Sequence, residues 1–120
     1  IIRAALESIA YQENDLLDCI KKDTNKSLTR LNVDGGATNN SFLLQFQSDI
    51  SKIEILKPSN IESTALGAGI LAGLKSQFWE SADELFQHKK IDKIHTPQMN
   101  DSKRKKLING WKKAIKKINN

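Results

Sequence analysis

Cysteine is nearly missing from this chain: Cys19 stands alone among 120 residues, so no internal disulfide can form and a cross-linked secreted scaffold is excluded. Long apolar runs are missing too. The longest, residues 65–74, is broken by glycines and is about half of what a bilayer span requires. No cationic stretch followed by an apolar one marks a secretory leader, and a reducing cytoplasm is the expected location. The opening Ile1-Ile2-Arg3-Ala4-Ala5-Leu6 reads as a helix already under way. Neither a methionine nor a capping Ser, Thr, Asp or Asn precedes it, so the expectation is a segment of something longer. Hydrophobic residues make up 38%, slightly under the usual globular share, and 120 residues suit one small domain.

Metal ligands and nucleophiles are also scarce. His88 and His95 lie seven apart with no carboxylate or cysteine at ligand spacing, so surface or packing roles are expected and a zinc site is not. Cys19 borders an apolar helical face without a nearby histidine, which predicts an inert, half-buried thiol. Asp49 and Glu54 flank a turn and read as solvated.

Positive charge is concentrated at one end. Residues 101–120 hold eight of the 19 Lys and Arg and one acid, a net +7, whereas residues 1–100 hold 11 and 13, a net −2. The eight basic residues share their segment with Leu107, Ile108, Trp111, Ile115 and Ile118, which fall on one helical stripe. Docking by that stripe with solvated lysines is the expectation, ahead of nucleic-acid or membrane binding.

The periodicity predicts a long amphipathic helix from Ile2 to Ile20, then a short strand at Leu31 and Val33. A glycine corner follows, then a helix over about 39–50 and a strand at Ile53-Glu54-Ile55-Leu56 that stops before Lys57-Pro58. Small residues at 65, 68, 69, 72 and 73 predict a buried helix over 63–74 that packs closely. Its Gly67-Ala68-Gly69 is no dinucleotide fingerprint, because the third glycine comes one place late and no strand leads into it. Residues 81–88 read as a short amphipathic helix, 91–95 as irregular or extended, and 102–118 as the basic helix. Two strands make a thin sheet with unpaired edges, which implies that further strands belong to it.

The corner Val33-Asp34-Gly35-Gly36-Ala37 is where the chain shows chemistry. Two residues without Cβ atoms at a strand-to-helix junction let a backbone approach a ligand, and the helix start supplies N–H groups for an anion. The same dipeptide also makes an ordinary turn. Asp34 either orients a ligand or satisfies the loop's own N–H groups. Asn40, on the first turn of the following helix, either caps it or presents its amide to a ligand. No Walker-type lysine follows the glycines.

In order and spacing, Val33-Asp34-Gly35-Gly36-Ala37, Asn40, Phe42-Leu43-Leu44-Gln45-Phe46-Gln47-Ser48-Asp49-Ile50, Thr64-Ala65-Leu66-Gly67-Ala68 and Ala72-Gly73-Leu74 resemble the C-terminal end of the glycerol kinases. These belong to the FGGY carbohydrate kinases. The likeness runs from Arg3 to Ala114. It implies an α/β fold, the C-terminal part of a ribonuclease H-like domain of the actin and hexokinase type, with helices on a small partial sheet. Residues 1–120 would be a single partial domain. The resemblance further implies a parent enzyme that transfers phosphate from Mg-ATP to glycerol, with nucleotide contacts at Gly36 and Asn40 and with Gly35 and Ala37 shaping the loop. The catalytic aspartate, the glycerol pocket and the magnesium ligands have no match here, so no turnover is expected of these residues alone. Family members often assemble as dimers or tetramers; neither nucleic acid nor membrane is an expected partner. Another sugar or polyol kinase of the family, or a small basic binding domain without enzymatic activity, are the alternatives.

Overall fold

The computed structural model describes residues 1–59, 63–81 and 91–118. Among these residues the elements follow in the order α1 (Ile2–Thr24), β1 (Arg30–Asn32), a 3-10 turn (Gly36–Asn39), α2 (Ser41–Ser51), β2 (Glu54–Pro58), α3 (Ser63–Lys75), β3 (Ile91–His95) and α4 (Asp101–Ile118).

The sheet order is β1-β2-β3, with β2 parallel to β1 and antiparallel to β3. Parallel neighbours need a crossover, and α2 supplies it between Asn32 and Glu54. The segment 91–95 is therefore a third strand, so of the irregular and extended alternatives the extended one holds. Its side chains are mostly exposed, so no alternation of burial marked it; pairing with β2 makes it a strand. β2 also runs further than expected and takes in Lys57 and Pro58. A register irregularity falls between these two residues, the kind of place where a proline without an N–H is tolerated in a sheet.

The core lies between α1 and α2 and is closed by α4. Ala10 and Tyr11 meet Leu43, Phe46 and Ile50, and Met99, Leu107, Ile108 and Trp111 pack against that cluster. Tyr11 stands edge-on to Phe46 at 5.5 Å and stacks on Trp111 at 5.2 Å, geometries that aromatic quadrupoles favour. The indole N–H of Trp111 donates to Asp15 Oδ2 at 2.7 Å, which satisfies its one donor at the edge of the core. The basic helix thus docks by its apolar stripe and leaves its lysines in water, as its pattern predicts.

Polar anchors hold the arm between β3 and α4. Asp49 Oδ1 accepts from the backbone N–H groups of Gln98 and Met99, and Gln45 donates to the Thr96 carbonyl at 2.8 Å. Arg104 donates to the Ile50 carbonyl at 2.6 Å, and Lys52 pairs with Asp101. Asp49 is therefore an anchor and not a solvated turn residue. Its partners lie about fifty positions away and no local spacing reveals them. Glu54 pairs with Arg30 across the β1–β2 ladder.

Two apolar faces remain open. α3 is exposed along most of its length, with Leu66 at 48% and Leu71 at 70%, so the expected buried helix is not buried among the described residues. Its Gly67 and Gly69 have nothing nearby for a Cβ to meet, while the Trp79 ring occupies the space beside Gly73. On α1, the apolar periodicity covers more than one face: Ala10, Tyr11 and Leu17 are buried, whereas Ile2, Ile9 and Leu16 point to solvent. Cys19 is exposed on the same helix, contrary to the half-buried position expected of it. No described helix is long and apolar enough to cross a membrane. The short helix expected over 81–88, with His88, falls almost wholly outside the described residues.

Candidate functional site

The corner after β1 is built residue by residue. The Val33 N–H donates to the Leu56 carbonyl at 3.1 Å, carrying the parallel ladder one residue past the strand, and the chain then turns at Asp34-Gly35. Gly35 has φ +87°, where a side chain is strained, so glycine is required there by backbone conformation. Gly36 does not share that conformation. It opens the 3-10 turn and is exposed, and a Cβ built on it meets no atom within 4 Å. Nothing in the described chain fills the space in front of Gly36. Its missing side chain therefore leaves a stretch of bare backbone that a ligand can approach closely.

Thr38 holds the turn together. It is buried, its hydroxyl donates to the Gly35 carbonyl at 2.6 Å, and its N–H donates to the same oxygen at 3.1 Å. Thr38 was not among the residues expected at the site, although a threonine three places after a glycine is the signature of such a local turn. The Asn40 N–H donates to the Ala37 carbonyl at 3.1 Å. The α-helix begins only at Ser41, because the 3-10 turn takes up the residues between the glycines and the helix.

Asn40 consequently sits at the N-cap and not on the first turn. Its Oδ1 accepts from the Leu43 N–H at 3.1 Å, so the capping alternative is realised. That bond leaves the two amide hydrogens on Nδ2 of this partly exposed residue, which no described residue accepts. Capping and ligand donation are thus compatible on opposite ends of one amide: the cap bond fixes the side chain and so orients the donors. Asp34 is exposed, and among the described residues its carboxylate takes no hydrogen bond from the loop, so it does not satisfy the turn. Ala37 is exposed beside Gly36.

The four residues expected at the nucleotide site, Gly35, Gly36, Ala37 and Asn40, therefore lie on one continuous corner, Gly36 and Ala37 exposed and Gly35 and Asn40 partly so. Two shallow grooves, around Thr29 and Lys52 and around Asp49 and Lys103, include none of them. No group of three or more potential metal ligands occurs among the described residues.

The profile of the C-terminal domain of the FGGY family of carbohydrate kinases matches residues 1–76, the stretch that contains this corner. The chain belongs to the FGGY family of carbohydrate kinases. Among curated FGGY relatives, the glycerol kinase of Shewanella baltica is 56% identical over 115 residues, and that of Clostridium beijerinckii is 50% identical over 117. The matches cover 96% and 98% of this chain but only 23% of either relative, so the chain spans about a quarter of their length. The crystal structure of Plasmodium falciparum glycerol kinase with ADP superimposes with a TM-score of 0.83 at 39% identity, over 98% of this chain and 24% of that one. A ligand-bound xylulose kinase from Lactobacillus acidophilus shares the fold, with a TM-score of 0.78 at 24% identity over 93% of this chain and 23% of its own. The small mixed sheet with its helices is thus part of the actin-like ATPase fold of the FGGY kinases.

Proposed function

We propose that residues 1–120 form the C-terminal part of the second domain of a glycerol kinase and contribute one wall of its nucleotide cleft. The reading rests on Gly36. At Gly35 the backbone itself demands glycine, but at Gly36 neither conformation nor crowding within the described chain does, which leaves its bare backbone at the strand-to-helix corner open to a ligand. An adenine nucleotide laid along the corner would contact the backbone of Gly35 and Gly36, pass Ala37, and accept from the Asn40 amide that its cap bond holds in place. The identity of half or more to glycerol kinases over nearly all of the chain, and the ADP that accompanies the Plasmodium falciparum glycerol kinase in its crystal, favour ATP as donor and glycerol as acceptor.

Phosphoryl transfer depends on positioning and on charge neutralisation of the transferred group. This corner serves the first requirement by holding the nucleoside end. The magnesium that commonly neutralises the phosphates has no ligand set among the described residues, and its ligands, like the base for the glycerol hydroxyl, belong to other parts of the enzyme. The cytoplasm and a homo-oligomeric assembly complete the proposal.

Two measurements test it. The complete protein carrying this segment should release ADP in the presence of glycerol, Mg and ATP, and no turnover with glycerol would overturn the substrate assignment. In the 120-residue chain, an ADP titration followed by amide chemical shifts should perturb Gly36 and Asn40, whereas shifts confined to the lysines of α4 would overturn the site.

A further inference from the structure

The nucleotide corner is tied to the sheet by a lysine that no motif in the sequence marks. Lys57 lies on the central strand β2, and its side chain is only 18% exposed. Its Nζ donates to Asn39 Oδ1 at 3.2 Å and stands 3.4 Å from Asp92 Oδ2 on β3. Asn39 closes the 3-10 turn that Gly36 opens, and it directly precedes the capping Asn40.

We propose that Lys57 is a positioning residue for nucleotide binding: its ammonium ties the Gly36–Asn39 turn to the central strand through Asn39, with Asp92 as the counter-charge that keeps it there. The proposal rests on the reading of the corner as a nucleotide site.

Three features carry it. Within Gly36–Asn39 the other bonds are local, Thr38 back to Gly35 and Asn40 capping α2, and the Val33 bond to Leu56 ties the chain to β2 only ahead of the glycines. A charge-assisted bond from an ammonium to a neutral amide oxygen is stronger than a neutral pair, and low exposure reduces its screening. Finally, Lys57 pairs in register with Lys93, a like charge, so without Asp92 the ammonium would be pushed away from β3; the register irregularity after Lys57 occurs at the same place. Because binding sites lose affinity when groups shift by about an ångström, release of this tie should be felt in nucleotide binding before folding.

The test uses steady-state kinetics on the complete enzyme. Lys57→Met should raise KM for ATP about three- to tenfold, less than the full worth of a charge-assisted hydrogen bond because the tie reaches the nucleotide only through the turn, with KM for glycerol unchanged. Lys57→Arg, which keeps charge and reach, should restore most of the loss. Asn39→Ala, a milder change on an exposed residue, should raise KM for ATP by a similar factor, and the double variant should be no worse than either single one. A fall in melting temperature with an unchanged KM for ATP, or additive effects of the two substitutions, would overturn the proposal, and should Lys57→Met fail to fold, a normal KM for ATP in Asn39→Ala overturns it alone. A wild-type enzyme without activity toward glycerol and ATP would instead overturn the function on which the proposal stands.

Discussion

At the scale of single residues, the two adjacent glycines have different reasons to exist. Gly35 answers to a left-handed backbone at φ +87°, whereas Gly36 answers to empty space. This separates folding from binding by substitution. Gly36→Ala should leave the chain folded, with a urea midpoint equal to or slightly above wild type, since alanine restricts the unfolded chain by about 0.4–1 kcal/mol at a compatible position. On the proposed placement of the nucleotide, the same change should weaken its binding in the complete enzyme about tenfold or more, because the methyl group would take up space proposed for the ligand, at roughly 1–3 kcal/mol for overpacking a fitted contact. Equal ATP affinity in Gly36→Ala and wild type, by calorimetric titration, would refute the assigned role. The sequence made the pair visible as a motif, but which glycine serves the fold was a matter of φ, and that emerged only from the turn as built.

At the scale of elements, β3 is held to α2 by a buried polar contact. His95 is 4% exposed, its Nδ1 lies 3.3 Å from Gln45 Oε1, and its Nε2 has no partner among the described residues. Gln45 uses its amide nitrogen toward Asp49 and Thr96, so Oε1 is an acceptor and His95 donates from Nδ1, which makes Nε2 the unprotonated nitrogen. Protonating it would bury an unpaired N–H. Burial, followed by the charges of Lys93 and Lys57, holds the imidazole pKa below its ordinary 6.5. Where the folded pKa lies below the unfolded one, the unfolded chain binds more protons, so the neutral histidine's stabilisation is present above pH 6.5 and is lost as pH falls through the folded value. Urea midpoints of the chain should therefore decline between pH 7 and 5, with a slope of up to about 1.4 kcal/mol per pH unit for one proton. His95→Gln should flatten that decline; an identical slope in the variant would show that another group is responsible. Asp49 looked solvated in the sequence, and His95 was left between a surface and a packing role, because their partners are distant in the chain, whereas α4 was legible because Leu107, Ile108 and Trp111 carry their periodicity within one helix.

At the scale of the whole molecule, the chain is more open than its size requires. Its accessible surface is 8774 Å², against about 6,500 Å² for a compact monomer of this mass. Its radius of gyration is 17.5 Å, against about 14 Å for a compact domain of this length. The excess surface includes Ile2, Ile9 and Leu16 on α1 and Leu66 and Leu71 on α3, which a partial domain would bury against the rest of its parent. Amide exchange by mass spectrometry should therefore be fast across α3 in the isolated chain, and should slow over residues 2–20 and 63–75 in the complete protein. Equal exchange in the two would contradict the partial-domain reading.

The sequence by itself determined the helices with a strong apolar period, the first two strands with the glycine corner between them, the docking of the basic helix and the kinship with glycerol kinases, because each of these is encoded in residues close together in the chain. Tertiary structure alone decided the third strand, the exposure of α3, the cap bond of Asn40 and the Lys57 tie. Those depend on which distant segment offers a hydrogen bond or an apolar surface, and spacing along one chain carries no record of that.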